Sequence, residues 1–137
     1  MNKIKLNNVT LLGIDCLDVS RLQKALDISA VGIEFGAVKL LTSLPTDDAR
    51  AVAIPHLGTI EAYSEFCIRN LTEYVDTEYV LIVQWDGFVL NPQSWSDTFL
   101  QYDYIGAPWF VNEEFWFTEL AIPRHLKGQQ VVGNGGF

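Results

Sequence analysis

The residues best suited to chemistry follow a short apolar segment near the middle of the chain. Val80–Val83 runs directly into Gln84, Trp85, Asp86 and Gly87. The apolar, β-branched segment predicts a strand buried on both faces, as in parallel sheets. Because side chains alternate along a strand, we expect Gln84 and Asp86 to lie on one face, with two oxygen-bearing side chains converging on one spot. Gly87 allows the backbone to turn away sharply.

Two more polar side chains are predicted at the same edge of the sheet. Val9–Asp15 has the pattern of a first strand that ends in an acid, and Ala37–Leu41 that of a second strand leading into Thr42. Strands that alternate with helices predict βαβ crossovers and a parallel sheet covered by helices. Ligands bind outside the carboxyl ends of such strands, so we expect Asp15, Thr42 and Asp86 to share one site.

The connecting helices are marked by caps and by apolar spacing. Asp18 predicts the N-cap of a first helix. A second helix is predicted from Thr59 to Val75. Its apolar stripe comprises Ile60, Tyr63, Cys67, Leu71 and Tyr74. Residues 45–58, with two prolines, predict a loop.

A third, shorter helix is predicted where a capping residue precedes a proline. Asn91-Pro92 gives its start, with Trp95, Phe99 and Tyr102 on its inner face. Tyr104-Ile105 then predicts another short strand.

Two segments near the end of the chain suggest ligand contacts. Trp109–Phe117 is crowded with aromatic residues and contains Glu113. As a loop over a cleft, Trp109 would stack on a sugar ring while carboxylates accept its hydroxyls; the alternative is a peripheral hydrophobic flap. The glycine-rich end, Val131–Phe137, could present amide N–H groups to phosphate or sugar oxygens, or form a plain turn. Its central residues are Asn134, Gly135 and Gly136.

Composition limits the class of protein. The 137 residues carry a net charge of −8 and are 49% hydrophobic and 19% charged, which predicts one globular domain rather than a disordered chain. Lysine and arginine are scattered, so nucleic-acid binding is not expected. No apolar run is long enough for a membrane span or a signal peptide, and the expectation is a cytoplasmic protein. Cys16 and Cys67 are expected to be reduced thiols.

Three motifs together resemble a known family. They are QWDGFVLNPQSW at Gln84–Trp95, YDYIGAPW at Tyr102–Trp109, and VGNGGF at Val132–Phe137. They resemble a little-characterised family of glycosyltransferase-like proteins of unknown function with the pattern Q-x-D-G, D-Y-I-G-A-P-W and G-N-G-G-F. The match is dense from about Glu78 to Trp109 and at the final six residues. That family is similar to the GT-A class of nucleotide-sugar glycosyltransferases.

The resemblance implies a fold and a donor site. It implies a single GT-A-like, Rossmann-like domain over residues 1–137 with a mostly parallel sheet, truncated at its C-terminal end relative to a longer parent. In the GT-A class an Asp-x-Asp motif holds a divalent metal against the donor diphosphate, and Gln84 and Asp86 occupy these two positions. Asp86 would bind Mn²⁺ or Mg²⁺. Gln84 brings no charge, which weakens metal binding and would also permit donor binding without metal.

The same resemblance implies roles for residues outside that motif. Asn134, Gly135 and Gly136, with Trp109, would lie near the donor sugar and the acceptor. Basic residues would help to offset the diphosphate charge, unless they are solvated surface charges. They are Lys39, Arg124, His125 and Lys127. No catalytic base is identified, and the upstream carboxylates to consider are Asp103, which could instead be a structural turn residue, and Glu113.

Three functions follow as hypotheses. The first is a nucleotide-sugar-dependent glycosyltransferase that acts on a hydroxyl of a glycan or lipid-linked glycan, active in the full-length parent. The second is a non-catalytic carbohydrate- or nucleotide-sugar-binding module with the same fold. The third is another α/β enzyme, such as a nucleotidyltransferase or hydrolase. The sequence contains no G-x-S-x-G, P-loop or H-E-x-x-H motif to support the third.

Overall fold

The computed structural model describes residues 2–118 and 121–132 and confirms an α/β fold. The chain forms two compact units, Met1–Asp97 and Thr98–Phe137. The strands of the first unit are β1 (Ile4–Ile14), β2 (Ile33–Thr42), β3 (Ala51–Ala53) and β4 (Tyr79–Val83), and its α-helices are α1 (Val19–Ser29) and α2 (Ile60–Arg69). That residues 1–137 form one domain stays a prediction.

The four strands of the first unit form a parallel sheet in the order β3-β2-β1-β4. From β1 the chain proceeds outward to β2 and β3, then returns to the other side of β1 to form β4. The strand order therefore reverses between β1 and β4, as it does in the Rossmann order 3-2-1-4. The mostly parallel sheet predicted from the sequence is confirmed.

Helices cover both faces of the sheet. Leu11 of β1 belongs to a buried cluster with Leu22 of α1. The next residue, Leu12, belongs to the opposite cluster, which contains Phe66 of α2. Consecutive residues of one strand thus serve two separate cores, because side chains alternate across a sheet. The carboxyl ends of the strands remain as the edge at which a ligand can approach.

The predicted start of α1 is confirmed, and α2 differs in detail from its prediction. The Asp18 carboxylate accepts a hydrogen bond from the Ser20 amide at 2.9 Å. Helix α2 is capped by Thr59 and ends at Arg69, and a separate 3₁₀ helix then covers Leu71–Tyr74. Ile60 was expected in the buried stripe but is 82% exposed.

Two predictions made for residues 45–102 are wrong. The expected loop at residues 45–58 contains β3. The helix expected after Asn91 is replaced by two 3₁₀ turns, Pro92–Ser94 and Asp97–Gln101, and its supposed inner residues Phe99 and Tyr102 are exposed. The polar residues of this segment bond locally instead, as the Asn91 amide does to the Ser94 hydroxyl at 2.9 Å, and such bonds compete with a regular helix.

The second unit contains an antiparallel ribbon and one short helix. Its elements are β5 (Pro108–Phe110), α3 (Phe115–Thr118) and β6 (Gln130–Val132). The strand predicted at Tyr104-Ile105 is absent, since pairing begins only at Pro108. The Trp109 and Trp116 rings lie 5.5 Å apart, and Val111 is fully buried, so the aromatic segment is packed rather than extended into solvent.

Other predictions can be checked directly. Cys16 and Cys67 are free thiols, as predicted. No helix in the described part of the chain has both the length and the apolar character needed to cross a membrane.

An ion-pair network joins α1 to the segment that precedes β3. Arg50 donates to the Asp48 carboxylate at 2.7 Å and to Asp27 on α1 at 2.6 Å, and Gln23 donates to Asp48 at 3.0 Å. The Asp48 side chain is only 8% exposed. The hydrogen bonds from Arg50 hold the pKa of the Asp48 carboxyl well below its ordinary value. The network thus stabilises the fold most strongly when Asp48 is ionised.

We expect Asp48→Asn to lower the free energy of unfolding by about 1–3 kcal/mol at pH 7. Because the folded-state pKa lies below the unfolded value of about 3.9, the contribution of this carboxylate is complete above that pH and is lost progressively below it. The difference in the free energy of unfolding between wild type and Asp48→Asn should therefore become smaller as the pH falls below about 4. Urea denaturation at several pH values measures this. Asp27→Asn removes an exposed partner of the same arginine and should change stability little. Equal losses of stability in Asp48→Asn and Asp27→Asn would contradict the assignment of Asp48 as the main stabilising carboxylate of the network.

Candidate functional site

The end of β1 places a buried carboxylate at the reversal of strand order. Asp15 is 6% exposed. Its Oδ1 accepts hydrogen bonds from the backbone amides of Leu17 and Asp18, at 2.8 and 3.0 Å, and its Oδ2 accepts one from Arg21 Nε at 2.6 Å. Burial raises the pKa of the Asp15 carboxyl, but the hydrogen bonds from Arg21 and the two amides outweigh it and hold the pKa below its ordinary value. Asp15 is thus an ionised anchor for the loop from β1 to α1.

The arginine held by Asp15 reaches across to the segment after β4. Arg21 lies in the first turn of α1, and its Cζ is 4.8 Å from the centre of the Trp85 ring. Cation–π contacts occur within about 6 Å of an aromatic centre. The hydrogen bond to Asp15 and the nearby carboxylates, including that of Asp86, raise the pKa of Arg21. Arg21 therefore links the carboxyl ends of β1 and β4.

A tight turn presents Asp86. The Gln84 amide donates to the Gly87 carbonyl at 2.8 Å and the Gly87 amide donates back to the Gln84 carbonyl at 3.2 Å. Trp85 and Asp86 form the tip of the turn and are both exposed. Asp86 accepts no hydrogen bond and forms no salt bridge with any described residue. The acid is thus held in a defined turn and left open to a ligand.

This turn corrects the expected placement of Gln84. Strand β4 ends at Val83, so the alternation of side chains does not extend to Asp86. The Gln84 side-chain amide instead donates to the Tyr63 hydroxyl on α2 at 3.3 Å. Strand β4 is also at the edge of the sheet, and its residues before Val83 are half-buried rather than buried on both faces.

A depression lies farther along the same edge. It has a volume of about 490 Å³ and is lined by the end of β2 with the start of the loop that follows, from Thr42 to Thr46, and by β3 with the residue after it, from Ala51 to Ile54. Thr42 is 2% exposed, and its hydroxyl accepts from the Leu44 amide at 3.1 Å. The Ser43 hydroxyl lies 3.1 Å from His56 Nδ1. The predicted residues of the first unit therefore all lie at one edge, with Thr42 at the depression and Asp86 beyond Asp15.

No role for Arg21 was predicted from the sequence. Two of the four cations proposed there to offset the diphosphate charge are engaged elsewhere in the fold. Lys39 donates to the Tyr74 carbonyl and pairs with Asp76, and Arg124 pairs with Glu114. The available signal was the position of Arg21 in the first turn of the helix that follows β1, where α/β folds bind anions.

The remaining predicted residues belong to the second unit. Asp103 and Glu113 are both exposed, and Trp109 packs against Trp116. His125 and Lys127 lie at and just after a 3₁₀ turn. Asn134, Gly135 and Gly136 are outside the described residues. The roles predicted for all of these side chains stay predictions.

Comparison with known proteins places the chain in a family. A family model described as a protein of unknown function (DUF5672) matches residues 48–137, which is more than half of the chain. The matched range includes Gln84 and Asp86 but not Asp15 or Arg21. No curated protein and no solved structure gives a significant match. The chain belongs to the DUF5672 family.

Proposed function

We propose that the protein is a nucleotide-sugar-dependent glycosyltransferase that transfers a sugar to a hydroxyl of a glycan or lipid-linked glycan. The observation that carries this proposal is the exposed Asp86 carboxylate, held at the tip of a hydrogen-bonded turn where the strand order reverses. Open α/β sheets bind their ligands at that point. The three-motif resemblance supplies the chemical class.

The residues at this point fit a metal ion only together with the donor. No group of three potential ligands among His, Cys, Asp and Glu occurs in the described part of the chain. Mg²⁺ is often held by one or two carboxylates together with substrate phosphates, and Asp86 can supply one carboxylate. When bound there, a divalent cation would neutralise charge on the departing nucleoside diphosphate. Gln84 is bonded to Tyr63, so it orients the turn rather than adding charge.

The shape of the edge agrees with an extended donor. Neighbouring strands are about 4.8 Å apart, so the end of β2 and the end of β4 are separated by roughly 10 Å. In the proposed complex the nucleoside occupies the depression beside Thr42 and the diphosphate extends toward Asp86. The depression also falls in the usual size range of small-molecule sites, about 300–1,000 Å³.

The proposal is tested by titrating UDP and GDP, each with Mn²⁺, into the protein by calorimetry. We expect Asp86→Asn to weaken metal-dependent binding at least about tenfold, since a charged ligand to the cation is lost. Glu34→Gln is the matched control because Glu34 is an exposed acid near the amino end of β2, at the opposite edge of the sheet. Equal affinity in wild type and Asp86→Asn would remove Asp86 from the donor site.

The neutral Gln84 favours one alternative, a non-catalytic binding module with the same fold. Such a module would bind glycans in the presence of EDTA and without nucleotide. Glycan binding under those conditions, together with absent nucleotide binding, would replace the transferase proposal by this one.

A further inference from the structure

We infer that Arg21 is a preformed binding group for the diphosphate, able to hold it without a metal ion. This inference rests on the proposed function for the identity of the ligand, but its chemistry concerns any diphosphate. Arg21 is the residue that joins the ends of β1 and β4, and its side chain is one-third exposed, at 33%. No role was predicted for it from the sequence.

Only some of the hydrogen-bond donors of the Arg21 guanidinium are bound by the protein. Asp15 accepts from Nε at 2.6 Å and from Nη2 at 3.3 Å, which is the side-on edge of the group. Nη1 makes no hydrogen bond with any described residue. A guanidinium has five N–H donors in a planar fork, so the end-on pair formed by Nη1 and Nη2 remains to bind an anion with two parallel hydrogen bonds.

The other partly buried arginine of the unit, Arg50, shows the contrast. Arg50 donates from Nε and Nη2 to Asp48 and from Nη1 to Asp27, so all of its nitrogens are engaged. Arg50 therefore has a structural role. Arg21 likewise donates to a carboxylate through Nε and Nη2, but its edge formed by Nη1 and Nη2 remains open.

Two contacts fix the open edge in place before a ligand arrives. Asp15 holds one edge of the guanidinium through Nε and Nη2, and the Cζ atom lies over the Trp85 ring, 4.8 Å from its centre. An arginine side chain ordinarily loses considerable rotamer freedom when it binds a ligand, and here that cost is already met in the free protein. The Asp15 oxygens are occupied by Arg21 and by backbone amides, which reduces their repulsion of an incoming anion.

The position of Arg21 explains how a site with Gln84 can work. An Asp-x-Asp motif supplies two acids and depends on the cation to offset the diphosphate. Here one of the two acids is replaced by an amide bonded to Tyr63, while Arg21 brings a permanent positive charge beside the same turn. Diphosphate binding should therefore survive removal of metal, with Arg21 supplying the charge.

The test uses calorimetry in EDTA with inorganic pyrophosphate, UDP and GDP as probes. We expect wild type to bind, Arg21→Gln to bind about 10- to 100-fold more weakly, and Arg21→Lys to recover only part of the loss. Lys24→Gln is the matched control, because Lys24 is an exposed cation on the same helix with the same charge change. Urea denaturation reports whether each variant is folded.

A second measurement needs no variant. Pyrophosphate should protect Arg21 of the wild-type protein from phenylglyoxal, read by mass spectrometry, while the 73% exposed Arg69 stays reactive. Unchanged pyrophosphate affinity in Arg21→Gln, no binding by wild type in EDTA, or no protection of Arg21 would overturn the inference. If the Arg21 variants lose affinity but the Asp86 variant does not, the proposed transferase is contradicted and a diphosphate site remains. If the Asp86 variant loses affinity but the Arg21 variants do not, the Arg21 inference alone is contradicted.

Discussion

Asp15→Ala is expected to lower the free energy of unfolding by roughly 2–4 kcal/mol at pH 7. The substitution leaves the amides of Leu17 and Asp18 without their acceptor and removes the ion-pair partner of Arg21. The loss should fall at or under the lower part of the roughly 3–5 kcal/mol range for breaking a fully buried pair, because Arg21 is one-third exposed and water can solvate it. Urea denaturation followed by tryptophan fluorescence measures the difference.

Two further variants, one at Asp15 and one at an exposed ion pair, separate the effects of burial and charge. Asp15→Asn keeps one acceptor oxygen for the loop amides and should cost less than alanine. Asp76→Ala removes the partner of Lys39, but Asp76 is 92% exposed, so stability should hardly change. A loss below about 1 kcal/mol in Asp15→Ala would show that the loop does not depend on this carboxylate.

The alternation of strands and helices was predictable because each element has a local signal. Asp18 caps α1 through its own side chain, and the apolar stretch before Gln84 gives β4. Strand β3 has only three residues, Ala51–Ala53, and β2 is its partner among the described strands, so its existence depends on pairing with β2 rather than on a pattern of its own. The failed helix after Asn91 has the opposite cause: a strong start signal is followed by side chains that bond locally, as Ser94 does with Asn91 and Trp95 with Asp97.

The sequence allowed us to predict where the site lies, at the carboxyl edge of the sheet, but not which side chains contact one another there. Strand order and the carboxyl ends bring Asp15 and Asp86 to neighbouring strands, and the sequence contains enough to infer that. The partners of each residue depend on the tertiary fold. Arg21 is six residues from Asp15 and 64 from Trp85, and no periodicity connects the three. The prediction that Gln84 and Asp86 lie on one face requires β4 to continue through Asp86. Instead, a turn with Trp85 and Asp86 at its tip follows Gln84.

Under the proposed function, we expect Asp86→Ala to reduce turnover of the donor at least about 100-fold, whichever nucleotide sugar serves as the donor. A carboxylate that holds a cation against the leaving diphosphate acts most strongly on charge that develops as the sugar departs, so kcat should fall more than KM rises. The measurement is release of UDP or GDP from a panel of nucleotide sugars with Mn²⁺. Glu34→Ala, an acid at the far edge of the sheet, should leave turnover unchanged.

Whether Asp86→Ala changes kcat or KM distinguishes two roles for the turn, stabilising the leaving group or binding the donor. If Asp86→Ala raises KM and leaves kcat intact, the tip of the turn only recruits the donor, and the leaving group is stabilised elsewhere. Full activity in the variant would contradict any catalytic role for the turn. A fall in kcat with an unchanged urea midpoint would assign the effect to chemistry. Asp86 is exposed, accepts no hydrogen bond from a described residue, and interacts with Arg21 through charge alone, so its removal should cost the fold little.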